Sequence, residues 1–500
     1  MFEVRTGEVR AKLAASPKPI PGTVMAQVTR LEHDLLGERA VPAGAYYGVH
    51  TLRALENFPI TGTAISIYPD LVRALACVKQ AAALTNHALG LLAEDKAAAI
   101  VHACEEIRAG QLLDQFVVDV IQGGAGTSTN MNANEVIANR ALEHLGKAKG
   151  EYRFVHPLDD VNMSQSTNDV YPTAVNLALN FGIQRLLESM RYLRAAFEAK
   201  AVEFAELLKV GRTQLQDAVP MTLGQEFSAF AVMLAEDEAR LEEAASLTRE
   251  INLGATAIGT GINAHPDYAA LVCRKLTDLT GFAFITAPNL VEATQDAGAF
   301  VQLSGVLKRI AVKLSKTCND LRLLSSGPRA GLGEIILPAA QAGSSIMPGK
   351  VNPVIPEVVN QVAFEVIGND VTVSFAAEAG QLQLNAFEPV IAHSLFKSID
   401  HLSNACRTLA DRCVSGIRAN REHLTQLVDS SIGIVTALNP FLGYARASEI
   451  AREALATGKR VYDLVLERGW MTREQLDQIL RPEVLTRPHY STVHRPKAEA

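Results

Sequence analysis

The sequence predicts an all-α protein of three domains around a long central helix bundle. Three observations carry this. Apolar residues recur on alternating steps of four and three over several long stretches, the spacing of helices packed side by side at shallow angles. Hydrophobic residues make up 48% of the chain and aromatics only 6%, so much of the apolar content is Ala, Leu and Val. Ala and Leu are strong helix formers, which suits close helix packing better than a β-sandwich. Strand signals of comparable strength are absent.

Taken in order, residues 1–29 read as an N-terminal extension. It contains a stiff, proline-rich run from Ser16 to Gly22, which favours extended geometry over a packed element. Residues 30–165 alternate short helical patterns with breaks at Pro42-Ala-Gly and Pro59-Ile-Thr-Gly, which predicts a compact N-terminal helical domain. Residues 166–420 carry the long seams. The first is Leu179, Ile183, Leu186, Met190, Leu193, Phe197 and Phe204, with one slot skipped at Lys200. Leu223, Phe227, Phe230, Leu234 and Leu241 form the second, and Leu303, Leu307, Ile310, Leu314, Leu321 and Leu324 the third. A fourth set is Ile355, Val359, Val362 and Val366. Residues 421–500 return to shorter helices and predict a small C-terminal domain. There Thr472 and Gln475 make a capping box, Pro482 terminates the helix begun by that box, and a helix near Ser448–Thr457 stops at Gly458. The last eighteen or so residues trail off.

A net charge of −7 offers no general attraction to phosphate backbones or anionic lipid, so nucleic acid is excluded as a natural partner. The six cysteines (Cys77, Cys104, Cys273, Cys318, Cys406, Cys413) include no CxxC pair and read as buried thiols of a reducing, cytoplasmic setting. The N-terminus lacks a signal-peptide layout, and no stretch of eighteen apolar residues exists to span a membrane.

Four polar segments interrupt this apolar helical protein. Gly123–Asn132 packs hydroxyls and amides into a glycine-rich loop without the spacing of a P-loop or a dinucleotide fingerprint, and taken alone it is better explained as a helix-capping loop. Ser164–Asp169 places more donors before the first seam than one N-cap uses, which suits an anion at a helix N-terminus. Gly211–Asp217 lies between two seams, and its Thr213 and Gln214 could merely satisfy local backbone groups. Gly343–Pro353 is the strongest signal. Its glycines favour a mobile loop, Lys350 supplies a cation, and Pro353 and Pro356 mark the start of the next helix, so a carboxylate site is expected there. No HxxxH pattern offers a metal site, and no G-x-S-x-G elbow makes Ser344 an acyl-transfer nucleophile. His156 and His393 read as structural.

The Gly343–Pro353 string resembles the signature loop of the aspartase/fumarase superfamily, lyases that eliminate across a C–C bond to release fumarate. The resemblance extends from about Leu31 to Leu480 and includes Gly124–Ser128, Gln165–Asp169, Gly211–Pro220, Asn352–Glu357 and Ala377–Asn385. It implies reversible deamination of L-aspartate to fumarate and ammonia, with Ser344 as the base that removes the C3 proton. Thr127, Ser166, Thr167 and Ser345 match the positions that cradle the resulting enediolate. Lys350 and Asn352 match those holding the α-carboxylate, and Asn168, Thr213 and Gln214 those around the amino group. Met347 would shape the pocket wall. Gln214 stands where hydratases of the family usually carry His; an amide cannot exchange a proton near neutral pH, which favours ammonia over water as the eliminated group.

The resemblance further implies no organic cofactor, leaves a magnesium response open, and assigns no metal ligand. It implies a homotetramer whose central helices merge and whose active sites each take loops from three subunits. Seams on several sides of a lone chain would also leave apolar stripes exposed. Two alternatives stand beside this reading: a fumarate hydratase or another fumarate-releasing lyase, and a catalytically silent structural relative. His156-Pro-Leu158 resembles a hydratase accessory segment, with Leu158 in place of the usual Asn, and reads as a surface turn.

Overall fold

The computed structural model describes residues 28–488. Apart from its last two residues, the segment read as an N-terminal extension lies outside them, as do residues 489–500. The described chain is helical throughout its core, with four two-stranded sheets at the margins.

It opens on an antiparallel hairpin, β1 (Thr29–Asp34) and β2 (Gly37–Pro42), which turns through Leu35 and Leu36 and enters β2 at Gly37 with φ 106°. The sequence predicts only helical patterns here, because neither strand alternates apolar and polar residues cleanly. Helices α1 (Val49–Asn57), α2 (Pro69–Ala88), α3 (Glu94–Arg108) and α4 (Thr127–His144) come next. Helix α5 (Thr167–Glu203) is 37 residues long, about 55 Å at the α-helical rise. Its first turn is fixed by a capping box: Ser166 Oγ accepts from the Asn168 amide, and Asp169 accepts from the Ser166 amide. The skipped seam position, Lys200, is buried because its ammonium donates to Glu203 and to the Ile417 carbonyl.

A second hairpin, β3 (Leu208–Thr213) and β4 (Gln216–Thr222), leads into α6 (Leu223–Leu247), which starts on a Thr222/Gln225 capping box. Then come β5 (Glu250–Ile251), α7 (Thr256–Gly259), α8 (Tyr268–Thr280), β6 (Ile285–Thr286), which pairs parallel to β5, and α9 (Leu290–Ala293). Helices α10 (Gly298–Leu324), α11 (Val354–Glu378) and α12 (Glu388–Arg412) complete the bundle. Beside them β7 (Ile335–Ile336) pairs with β8 (Arg418–Ala419).

The bundle consists of α5, α6, α10, α11 and α12. Cross-links set their directions: Arg194 to Glu238 makes α5 and α6 antiparallel neighbours, and Asn360 to Ser315 does the same for α10 and α11. Arg185 to Asp400 and Tyr192 to Asp411 show α12 running parallel to α5. One apolar core runs from Ala54 to Leu424 and includes the four seams. A second contains Val210 of β3 with residues from Val428 to Ile479. The latter is built by α13 (Arg421–Ser430), α14 (Val435–Leu442), α15 (Tyr444–Thr457), α16 (Val461–Glu467) and α17 (Arg473–Ile479). The Thr472/Gln475 capping box forms, and Gly458 ends α15 in the left-handed region at φ 70°. Pro482 differs from expectation. It opens the short helix α18 (Pro482–Leu485), because a proline in the first helical turn has no donor to lose. All six cysteines are buried and unpaired.

Candidate active site

The predicted site residues fall into two groups at opposite ends of the bundle. At the first end, α4 and α5 begin side by side. The loop before α4 is held by Gly126 (φ 87°), where a Cβ would lie 2.3 Å from the Tyr171 ring, so only glycine permits the approach. Gly126 at the cap has no side chain to offer; the Thr127 amide donates to the Gly124 carbonyl and the Thr129 amide to Gln122 Oε1, each at 3.0 Å, so what this helix end presents outward is its partial positive charge and its hydroxyls. Thr127 is exposed in its first turn and donates to the Gly124 carbonyl at 2.7 Å. Ser166 caps α5. Thr167 Oγ1 accepts from Asn130 Nδ2 at 3.1 Å, and Asn168 donates to the Ala257 carbonyl at 2.7 Å. The hydroxyls of Thr127, Ser166 and Thr167 thus belong to the first turns, or the cap, of two helices joined at their positive ends.

Behind them Asp169 is fully buried. It accepts from the amides of Ser166, Gly254 and Thr256, while burial lifts its carboxyl to about 6 against the pull of those donors. The last two amides belong to a loop that carries no sequence-predicted site residue, Leu253 to Asn263. Its Thr256 (φ 33°), Ala257 (φ 54°) and Asn263 (φ 64°) hold left-handed conformations rare for side-chain-bearing residues. The available signal was the glycine-rich polar run Gly254-Ala-Thr-Ala-Ile-Gly-Thr-Gly261.

At the other end lie the β3–β4 tip and the signature loop. Thr213 pairs with Gln216, leaving Gln214 (φ 54°) and Leu215 (φ 60°) as a two-residue turn with both residues left-handed. Exposed and strained at a hairpin tip, Gln214 is presented outward. Below the tip Arg212 and Lys209 both engage Glu334, which is wholly buried.

The signature loop closes on itself. The Gly343 amide donates to the Lys350 carbonyl at 2.8 Å and Asn352 Nδ2 to the Gly343 carbonyl at 2.7 Å. A Cβ on Gly343 would lie 2.5 Å from the Lys350 carbonyl, so glycine is required. Ser344 Oγ accepts from the amides of Ile346 (3.2 Å) and Met347 (2.9 Å). That is a serine turn, and it is also an arrangement that stabilises negative charge on the oxygen. Ser345, Met347 and Lys350 are exposed, and Lys350 makes no ion pair among the described residues. Pro353 caps α11, as its sequence position predicts.

The α11 N-terminus lies against Arg412 and Cys413 at the C-terminal end of α12, hence beside the C-terminal end of α5. Within one chain, the hairpin and signature loop therefore sit a helix length, about 55 Å, from Thr127, Ser166 and Thr167. In sequence all four polar segments stand apart; the structure brings the first two together.

The two histidines read as structural are so placed. His156 caps a helical turn at Pro157–Val161, and His393 meets the Tyr68 hydroxyl at 2.8 Å in the core. Among the described residues one cluster offers metal-ligand atoms, His102 and Glu106 on α3 with His144 on α4. Its two imidazoles stack at 4.1 Å and 12°, which keeps their in-plane lone pairs from sharing one point. Arg140 grips Glu106 through two nitrogens and holds its carboxyl down at about 2, so the cluster as built is a salt-bridged stack. No helix among the described residues is long and apolar enough to cross a membrane.

Comparison with known proteins identifies the family. A family model described as "Lyase" matches residues 37–368, and one described as "Fumarase C C-terminus" matches residues 434–487. The chain is 58% identical to an aspartate ammonia-lyase of Helicobacter pylori over 93% of its own length and 100% of the relative's. Against the aspartate ammonia-lyase of Escherichia coli K12 the identity is 56%, covering 93% and 98%. Among solved structures it resembles a fumarate lyase:delta crystallin from Brucella melitensis bound to cobalt, with TM-score 0.90, 60% identity and coverage of 92% and 100%. A class II fumarase from Schistosoma mansoni has the same fold with TM-score 0.87 at 36% identity, covering 93% and 100%. Long parallel and antiparallel helices, a glycine-closed signature loop and these likenesses converge on one assignment: the chain belongs to the aspartase/fumarase superfamily of lyases.

Proposed function

We propose that this protein deaminates L-aspartate reversibly to fumarate and ammonia, in the cytoplasm and without an organic cofactor. The observation that carries this reading is 56–60% identity to aspartate ammonia-lyases over 92–93% of the chain. In the proposed mechanism Ser344, as its alkoxide, takes the C3 proton. The electron pair passes into the adjacent carboxylate, giving an enediolate with two negative charges. As that pair returns to form the C2–C3 double bond, the C–N bond breaks and the nitrogen leaves with its electrons.

A proton beside a carboxylate is very weakly acidic, so the catalyst must favour the dianion over the substrate. Thr127, Ser166, Thr167 and Ser345 are assigned to that dianion, where one preorganised donor is typically worth about 3 kcal/mol of barrier. The paired helix N-termini of α4 and α5 support the same role. Lys350 and Asn352 take the α-carboxylate; Asn168, Thr213 and Gln214 take the amino group; Met347 walls the pocket.

The site is complete only when copies of the chain assemble, since its two halves lie at opposite ends of one bundle. A homotetramer with each site drawn from three subunits meets that need. Val358, Phe364, Val371 and Phe375, apolar and exposed along α11, support association of bundles.

Ultraviolet absorbance of fumarate after separate addition of L-aspartate and L-malate tests the reading. Appearance with aspartate is expected. Appearance only with malate would make the protein a hydratase, and silence with both would mark it as a non-catalytic relative.

A further inference from the structure

Lys79, in the middle of α2, is fully buried, and no carboxylate lies within ion-pair distance of it among the described residues. Its ammonium donates to Asn162 Oδ1 at 2.8 Å and to Gln165 Oε1 at 2.9 Å. Asn162 Oδ1 also accepts from Asn130 and Asn134, each at 3.2 Å, and Asn130 reaches on to Thr167 Oγ1. Gln165 in turn donates to the carbonyls of Val161 and Met163, closing the turn from which Ser166, Thr167 and Asn168 project. That turn carries strain at Ser164 (φ 61°), whose hydroxyl is tied back to Asn86 of α2.

A buried, unpaired ammonium is costly, and these amide oxygens would be served as well by a neutral donor. Burial lowers the Lys79 ammonium to about 7, offset in part by Asp169. What a cation adds over a neutral donor is positive potential behind the donors that face the substrate.

We propose that Lys79 is a positioning residue for the elimination, fixing the Gln165–Asn168 turn through Asn162 and Gln165 and placing its charge behind the hydroxyls assigned to the dianionic intermediate. This rests on the function proposed above. Because the charge acts on the dianion more than on the substrate, its loss lowers turnover and leaves substrate affinity largely alone.

The test uses the full-length enzyme at pH 6, where the Lys79 ammonium is charged, with Lys79→Met and Lys79→Gln, the latter keeping two donors without the charge. The probe is 3-nitropropionate, whose carbon acid ionises to a nitronate isoelectronic with the enediolate. Each variant is expected to lower kcat about 100-fold and weaken nitropropionate inhibition by a similar factor, with KM for aspartate within about threefold of the parent. The ratio of the inhibition constant to KM does not depend on the fraction folded. Turnover near the parent's in Lys79→Gln, equal losses in aspartate and nitropropionate binding, or failure of both variants to assemble would each overturn the proposal and leave a purely structural lysine. An unsubstituted enzyme that neither deaminates aspartate nor binds nitropropionate would instead defeat the function on which the proposal rests.

Discussion

Asn130 on α4 donates to Thr167 on α5 at 3.1 Å, and this bond joins the first turns of the two helices whose amide ends form one half of the site. Asn130 is itself almost wholly buried and also donates to Asn162. Removing it deletes two side-chain hydrogen bonds, to Thr167 and to Asn162, although Asn162 keeps Lys79 and Asn134 as donors. Asn130→Ala should therefore cost about 1–3 kcal/mol of stability and lower kcat. Thermal unfolding and steady-state kinetics check both, and a variant with the parent's melting temperature and turnover would deny the join any importance.

Ser344 packs against nothing that its hydroxyl supports beyond two loop amides. Ser344→Ala should abolish fumarate release while leaving oligomer size and melting temperature unchanged. Near-normal turnover, measured alongside sedimentation, would take Ser344 out of the base role.

Lys350 is exposed and makes no ion pair among the described residues, which leaves its charge free for a carboxylate. A charge-assisted bond of this kind is worth about 1.5–3 kcal/mol. Lys350→Met should raise the Michaelis constant for aspartate by roughly 10- to 100-fold, with a smaller effect on kcat. An unchanged Michaelis constant would contradict the assignment.

Glu388, in the first turn of α12, is nearly buried and has no hydrogen-bond partner among the described residues; burial lifts its carboxyl to about 8. The folded state then binds this proton more tightly than the unfolded state does. Stability from that proton is fully present below the unfolded-state value near 4.5 and is lost as pH rises to about 8. Glu388→Gln cannot ionise, so it should melt several degrees above the parent at pH 8.5 and nearly together with it at pH 4.5. A stability difference that stays constant across this range would refute the shift.

Much of the bundle was legible because its seams repeat over many turns, and four of its five long helices are read directly from them. The fifth, α12, escaped notice because its buried face mixes Ser394, Ser398 and Ser403 with the apolar residues, which dilutes the pattern. The β3–β4 hairpin was missed for a different reason. Its tip uses Gln214 and Leu215 where Asn-Gly is the usual signal, so the turn depends on tertiary support from Glu334 and the C-terminal core. Motif residues were legible from their polarity in an apolar chain. Their division between two ends of the bundle was not, because separation in sequence does not reveal which way a long helix carries the chain.

Complementation tests most directly whether the two halves of the site come from different copies. Ser344→Ala and Thr167→Val, each expected to be nearly inactive, are unfolded together and refolded as a mixture. If a site joins Thr167 of one chain to Ser344 of another, about a quarter of the sites in random hybrids carry both groups, and deamination should return to a similar fraction of the parent's rate. A co-refolded mixture no more active than the two variants refolded separately would contradict sites shared between chains.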